Sequence, residues 1–302
     1  MDFKFTDPKG GELKVVFPGS FEDTPELTEL HIEEGIEEIA ENTFASFKHL
    51  RRVWLPKTMK RISAGAFMGC ESLESVYMNA GLEEILDDAF ASCPSLSVVE
   101  MPDTVKRIGT GAFEGCASLS KLRLSESVLM IGAGAFSYCF NLRDVVVPDS
   151  CILVEFSAFL GCFALESVRL SANMGLIDNS LFEGCRSLRE VDLPARLSRI
   201  GRSAFKGCSS LKSIILPVTT RAIELDAFYG CTSLTRIAIP KKIESIEDGE
   251  IFTSCDSLTD ISFGGSKTDW ELLTHGKTVT VEHSDLTVTT PRITFLNIDD
   301  KV

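Results

Sequence analysis

The side chains in this chain best equipped for chemistry are its ten cysteines, which elsewhere serve as nucleophiles, metal ligands or disulfide partners. Nine of them keep one spacing: Cys70, Cys93, Cys116, Cys139, Cys162, Cys185, Cys208, Cys231 and Cys255 each lie three residues after a phenylalanine. No two form a C-x-x-C pair, and nine equivalent positions cannot pair off among themselves. A buried free cysteine behaves as a small apolar residue with a weak S–H donor, and burial raises a thiol's pKa. The spacing therefore predicts a cysteine ladder inside a core, without zinc, disulfides or a nucleophile. Phe47 and Thr24 fill the same slot in the first two units, and Cys151 stands outside the ladder as a free thiol.

Other catalytic chemistries find no support. The four histidines, His31, His49, His275 and His283, show no H-x-x-x-H spacing and have no activated Ser or Cys nearby. The strings G-T-G-A-F-E-G and G-A-G-A-F resemble a phosphate-binding loop, but that fingerprint needs a strand before it and a full helix after it. Here the glycines recur in the slot of Ala64-Gly65 and Gly201, which marks them as corner residues. Acidic residues are abundant, and nothing in their spacing favours a catalytic carboxylate pair. No catalytic residue, metal or cofactor is expected, and the chain does not read as an enzyme.

The elements that would carry these side chains follow from the phenylalanines: Phe21, Phe44, Phe67, Phe90, Phe113, Phe136, Phe159, Phe182, Phe205, Phe228 and Phe252. Nine of the ten intervals are 23 residues and the last is 24. A fixed period of this length marks a solenoid, whose units bury their apolar faces by stacking on one another. The unit VKRIGTGAFEGCASLSKLRLS, from Val105, shows the logic. Leu119, Leu122 and Leu124 have the alternation of a half-buried strand, and A-F-x-x-C-x-x-L has the spacing of a short helical turn. Pro56, Pro102, Pro148, Pro194, Pro217 and Pro240 then end the strand, because proline cannot donate to a ladder. The expected fold is an α/β repeat solenoid, a curved rod with one parallel β-sheet and short helical turns. About eleven coils would span on the order of 50 Å. The expected organisation is an N-terminal β cap over 1–20, the solenoid over 21–263 and a C-terminal β cap over 264–302. Within the caps, Lys9-Gly10-Gly11 reads as a hairpin turn and Trp270 as a plug for the open core.

Composition narrows the partners. The 44 acidic residues against 30 basic ones give a net charge of −14, which argues against nucleic acid and against an anionic membrane surface. Between Phe21 and Thr43 stand Glu22, Asp23, Glu26, Glu29, Glu33, Glu34, Glu37, Glu38 and Glu41, with no Lys or Arg. No apolar run has the length of a membrane span. The start, MDFKFTDPKGGELK, lacks the basic and apolar stretches of a secretory signal. As written the chain is expected in the cytoplasm, or at the cell surface or outside it if a leader was removed. It is expected to be a monomer.

The recurring string I-G-x-x-A-F-x-x-C-x-x-L-x-x-I-x-I-P, seen here as IGTGAFEGCASLSKLRL and IGRSAFKGCSSLKSIILP, resembles the 23-residue leucine-rich repeat of BspA-like bacterial surface proteins. The likeness covers roughly residues 21 to 263, and the tail ISFGGSKTDWELL resembles the segment that closes such arrays. It implies a horseshoe-like solenoid used for protein or matrix recognition and adhesion, without enzymatic activity. Asn79, Ser125 and Ser171 depart from it by replacing the strand-ending proline. The family is defined by its scaffold and brings no catalytic residues.

In such a scaffold the informative positions are the outward ones on each strand. The middle outward residue runs His31, Trp54, Tyr77, Glu100, Arg123, Val146, Arg169, Asp192 and onward, with Arg52 and Lys121 in the column two residues earlier. His31, Trp54 and Tyr77, flanked by Arg52, form an aromatic row suited to anchoring a partner, or else cross-strand packing that stabilises the sheet. Lys121, Arg123 and Arg169 form a basic patch, or else ion pairs with Glu100 and Asp144. The function expected is a non-enzymatic binding or adhesion module for a protein, or a glycan, on the strand face. The alternative is a structural, self-assembling scaffold.

Overall fold

A computed structural model of the chain describes residues 14–247, 251–275, 279–283 and 287–296. The hairpin expected at Lys9-Gly10-Gly11 lies outside the described residues. Each 23-residue unit forms one coil, and the phenylalanines stack through the centre. Phe90, Phe113 and Phe136 lie 5.2 and 5.3 Å apart, centroid to centroid, with rings within 11° of parallel. Leucines from the strand and isoleucines from the opposite wall close around them.

The strand face is a parallel ladder of three-residue strands, beginning with Glu29–His31, Arg52–Trp54, Ser75–Tyr77, Val98–Glu100 and Lys121–Arg123. Coils pair one full unit out, so Leu30 meets Val53 and Val53 meets Val76. These middle residues point into the core, which turns both flanking side chains outward. One sheet was expected, and the coil carries two strands instead. A second parallel ladder forms the opposite wall from two-residue strands such as Glu38–Ile39, Arg61–Ile62 and Glu84–Ile85. Two residues are too few for alternation to register in a sequence, although Ile39, Ile62 and Ile85 recur as its buried members. The first ladder falls into sheets of five, three and four strands, breaking after Lys121–Arg123 and after Glu190–Asp192. The second breaks after Leu153–Val154.

The stretch around each phenylalanine is not the helical turn expected from its apolar spacing. A helical turn bonds its N–H groups within itself, whereas here every second N–H is given to the next coil. Gly65, Phe67 and Gly69 donate to the carbonyls of Asp87, Ala89 and Ala91 at 2.8–2.9 Å, while Ala66, Met68 and Cys70 close turns on residues three back. That alternation needs a left-handed backbone two residues before and two after the phenylalanine, as at Gly65 (φ 60°) and Gly69 (φ 72°). Glycine, serine, asparagine or aspartate therefore dominate both slots. Apolar residues three apart suit either geometry, so the spacing alone misleads.

Strand ends are closed by the prolines or their substitutes. Ser125 and Ser171 are buried, and each hydroxyl accepts the backbone N–H two residues on, a local turn that replaces the ring's constraint. Past the last coil the segment expected as a β cap opens with a helix before its strands. Lys267–Leu273 is a helix, opened by a capping box between Ser266 and Asp269, and its Trp270 packs 5.1 Å from Phe263 over the end of the core. Arg292–Phe295 then adds a parallel strand beside Asp260–Phe263. The Ser254 N–H, which in other coils would find a following coil, donates to the Glu282 carbonyl at 2.6 Å.

Candidate binding face

His31, Trp54 and Tyr77 lie side by side on three neighbouring strands. The rings of His31 and Trp54 stack at 4.1 Å with 5° between planes, and those of Trp54 and Tyr77 at 4.9 Å with 13°. Because the strands are in register at about 4.8 Å, the stack follows from backbone spacing alone. Its consequence is chemical: the ring faces between coils cover one another, so the row turns ring edges outward in place of those inner faces. Tyr77 is about half exposed, at 48 %.

The charged candidates divide differently from the expectation. Arg52, one column over from the aromatic row, is ion-paired with Glu29 on the preceding strand. Lys121 is paired with Glu100, whose carboxyl is held below its usual range by the hydrogen bond and charge of that lysine. Arg123 turns to the corner, donating to the Met101 carbonyl at 2.6 Å and to Asp103 at 2.7 Å. Asp144 accepts the Ser167 hydroxyl at 2.6 Å. Arg169 belongs to the next sheet and has no ion pair among the described residues. Lys121, Arg123 and Arg169 thus do not make one basic patch. Two are neutralised locally and the third stands apart.

All ten cysteines are free and buried. The nine in the ladder donate to phenylalanine carbonyls one coil earlier, Cys70 to Phe44, Cys116 to Phe90 and Cys231 to Phe205 among them, at 3.1–3.4 Å. Burial pushes the thiols of Cys116, Cys162 and Cys255 up to about 12, far from a reactive thiolate at neutral pH. Among the described residues no three His, Cys, Asp or Glu side chains converge as a metal site requires, and no helix is long and apolar enough to cross a membrane.

Two surface features escaped the strand-face reading. On the opposite wall Lys14, Glu37, Lys60, Glu83 and Lys106 alternate in sign from coil to coil, with Glu37 bridging Lys14 at 2.8 Å and Lys60 at 3.0 Å. On the turn edge Tyr138, Phe140 and Phe163 stand exposed, and the Arg186 guanidinium lies 4.5 Å over the Phe163 ring. Lys14, Glu37, Lys60, Glu83 and Lys106 stand 23 apart in the sequence, as do Phe140, Phe163 and Arg186, in columns of the repeat outside the strand.

Parallel coils with a leucine-bearing strand on one wall and a phenylalanine stack at the centre define a leucine-rich repeat solenoid. The chain belongs to the BspA type leucine rich repeat family, whose model matches residues 14–143, 83–208 and 175–275 in six copies. No curated protein matches it. Solved structures similar to it include a leucine-rich repeat protein from Bacteroides ovatus, 23 % identical over 94 % of this chain and 88 % of that one, TM-score 0.48. The T. pallidum leucine rich repeat protein is 31 % identical over 61 % of this chain and 78 % of its own, TM-score 0.47. The pneumococcal vaccine antigen PcpA is 20 % identical over 97 % and 96 %, TM-score 0.49.

Proposed function

We propose that this protein is a non-enzymatic binding module that recognises a protein ligand on its strand face, centred on His31, Trp54 and Tyr77. The observation that carries this reading is the edge-out aromatic stack on an uncovered part of the sheet. Large, stiff side chains with polar tips bind at low entropic cost, and Trp and Tyr dominate interface hot spots. A glycan ranks second. Sugar rings dock on free aromatic faces, and the stack spends its inner faces on itself. Membership of the leucine-rich repeat family supports binding over catalysis.

Cross-linking capture from candidate partner extracts, repeated with Trp54→Ala, tests the reading. Loss of the two stacked contacts should lower stability by about 1 kcal/mol and leave the fold intact, while the captured ligand disappears. Retention of the ligand by a folded Trp54→Ala protein would remove the row from the binding surface. A glycan array positive only for the unsubstituted protein would move the ligand to sugars. Light scattering that shows concentration-dependent assembly, abolished by the same substitution, would favour the self-assembling scaffold.

A further inference from the structure

We propose a second interaction surface, on the turn edge of the coils of Phe136, Phe159 and Phe182, that takes an acidic polypeptide segment bearing apolar side chains. The first observation is a strained residue. Tyr138 sits two positions after its phenylalanine with φ 59°, in a column whose other members from Ser46 to Ser254 are all glycine or serine. A bulky side chain in the left-handed region is uncommon and costs stability, and such outliers cluster at functional sites. The core does not account for it. The ring lies outside, 41 % exposed, and leans over Gly161, where a Cβ would come within 2.8 Å of it. In the earlier coils the same column, with Ser46, Gly69, Ser92 and Gly115, leaves a shallow groove, and Tyr138 stands in the next coil along.

The second observation is what surrounds it. Phe140 and Phe163 occupy the slot after the ladder cysteine and stack at 4.9 Å, with Tyr138 set edgewise to Phe140 at 6.2 Å. Arg186, in that slot one coil on, covers the far face of Phe163. The row therefore shows ring edges, which carry the positive part of the aromatic quadrupole and favour carboxylate oxygens as well as apolar groups.

Charge is the third, and it selects the partner. Up to Arg123 most cations are ion-paired, including Lys14, Arg51, Arg52, Lys60, Arg61 and Lys106. In the coils of the aromatic edge and the next one the pairing is sparser, although Arg199 and Lys206 still meet Glu224 and Asp226. Arg143, Arg186 and Lys212 are exposed and have no ion pair among the described residues, and Arg189 meets Glu166 only at 3.9 Å. Cations without a carboxylate partner, Arg186 among them against the Phe163 ring, complement carboxylates joined to apolar side chains. Glu166, Glu183 and Asp144 interleave with these cations, a spacing that does not suit a continuous polyanion such as nucleic acid. This surface is separate from the row at His31, and the two stand or fall independently.

Fluorescence anisotropy with the full chain and a labelled peptide alternating glutamate with leucine and phenylalanine provides the test. The acidic peptide should bind, more weakly as salt rises, and its lysine-for-glutamate counterpart should not. Arg143→Gln with Arg186→Gln should weaken binding by about tenfold or more, and Tyr138→Gly should weaken it while holding or raising the melting temperature. Trp54→Ala should leave it unchanged. Absence of binding, equal binding of the lysine peptide, or binding of a heparin oligosaccharide without the acidic peptide would overturn the proposal. So would undiminished binding by the folded arginine double variant.

Discussion

The thiol of Cys162 donates to the carbonyl oxygen of Phe136, 3.2 Å away and one coil earlier, and the same oxygen accepts the backbone N–H of Cys139 at 3.3 Å. The cysteine slot is therefore a hydrogen-bonding position as well as an apolar one. Each thiol ties its coil to the one before it, in a direction opposite to the N–H groups of the turn.

Serine can keep that bond and alanine cannot. Cys162→Ser should cost about 1 kcal/mol, and Cys162→Ala about 1–3 kcal/mol, through the lost donor and the void it leaves. Urea midpoints for the two variants check this. A serine protein less stable than the alanine one would show that the slot rewards packing alone.

Phe113 lies between Phe90 and Phe136 with no exposed surface. Phe113→Ala should destabilise by about 3–5 kcal/mol, the range for a core aromatic. In a stack where each coil contacts only its neighbours, the damage should spread to the adjoining coils. Hydrogen exchange should therefore quicken in the coils of Phe90 and Phe136 as well. An unchanged midpoint would displace Phe113 from the core.

The thiols also predict a pH dependence. In the unfolded chain they lose protons near pH 9, whereas Cys116, Cys162 and Cys255 in the folded protein hold theirs to about 12. A raised folded pKa gives stability that is complete below the unfolded value and lost as pH climbs towards the folded one. Stability should thus be level to about pH 8 and fall between about 9 and 12, by up to about 1.4 kcal/mol per pH unit for each thiol. Guanidinium midpoints at neutral and alkaline pH measure the slope. The thiols of Cys139, Cys185, Cys208 and Cys231 are raised by burial as well. Serine at positions 116, 162 and 255 together should therefore lessen the slope by their share, and an unchanged slope would assign the alkaline loss to other groups.

Much of this architecture was legible because the repeat multiplies weak signals. One phenylalanine three residues before one cysteine means little, and nine such pairs place a core. The register was equally legible: a unit of 23 residues sets His31 beside Trp54 and Trp54 beside Tyr77 before any coordinates are known. What failed to show was set by conformation within the coil. The second ladder is two residues wide, and the turn shares its apolar spacing with a helix. Side-chain direction was the other gap. That Arg123 reaches Asp103 while Arg169 reaches no acid among the described residues depends on corner geometry that residue type does not encode.

The handover of N–H groups from coil to coil makes every unit interchangeable at its two faces, and this bears on distance. Tyr77 and Phe140 belong to coils three units apart, on surfaces that share no residue. Gain or loss of one whole unit between them would shift the two surfaces by a step of about 5 Å, leaving the chemistry of each untouched. Reach along this molecule is thus quantised. Descendants of such a chain can match a partner of different length by counting coils, with no need to redesign a binding surface.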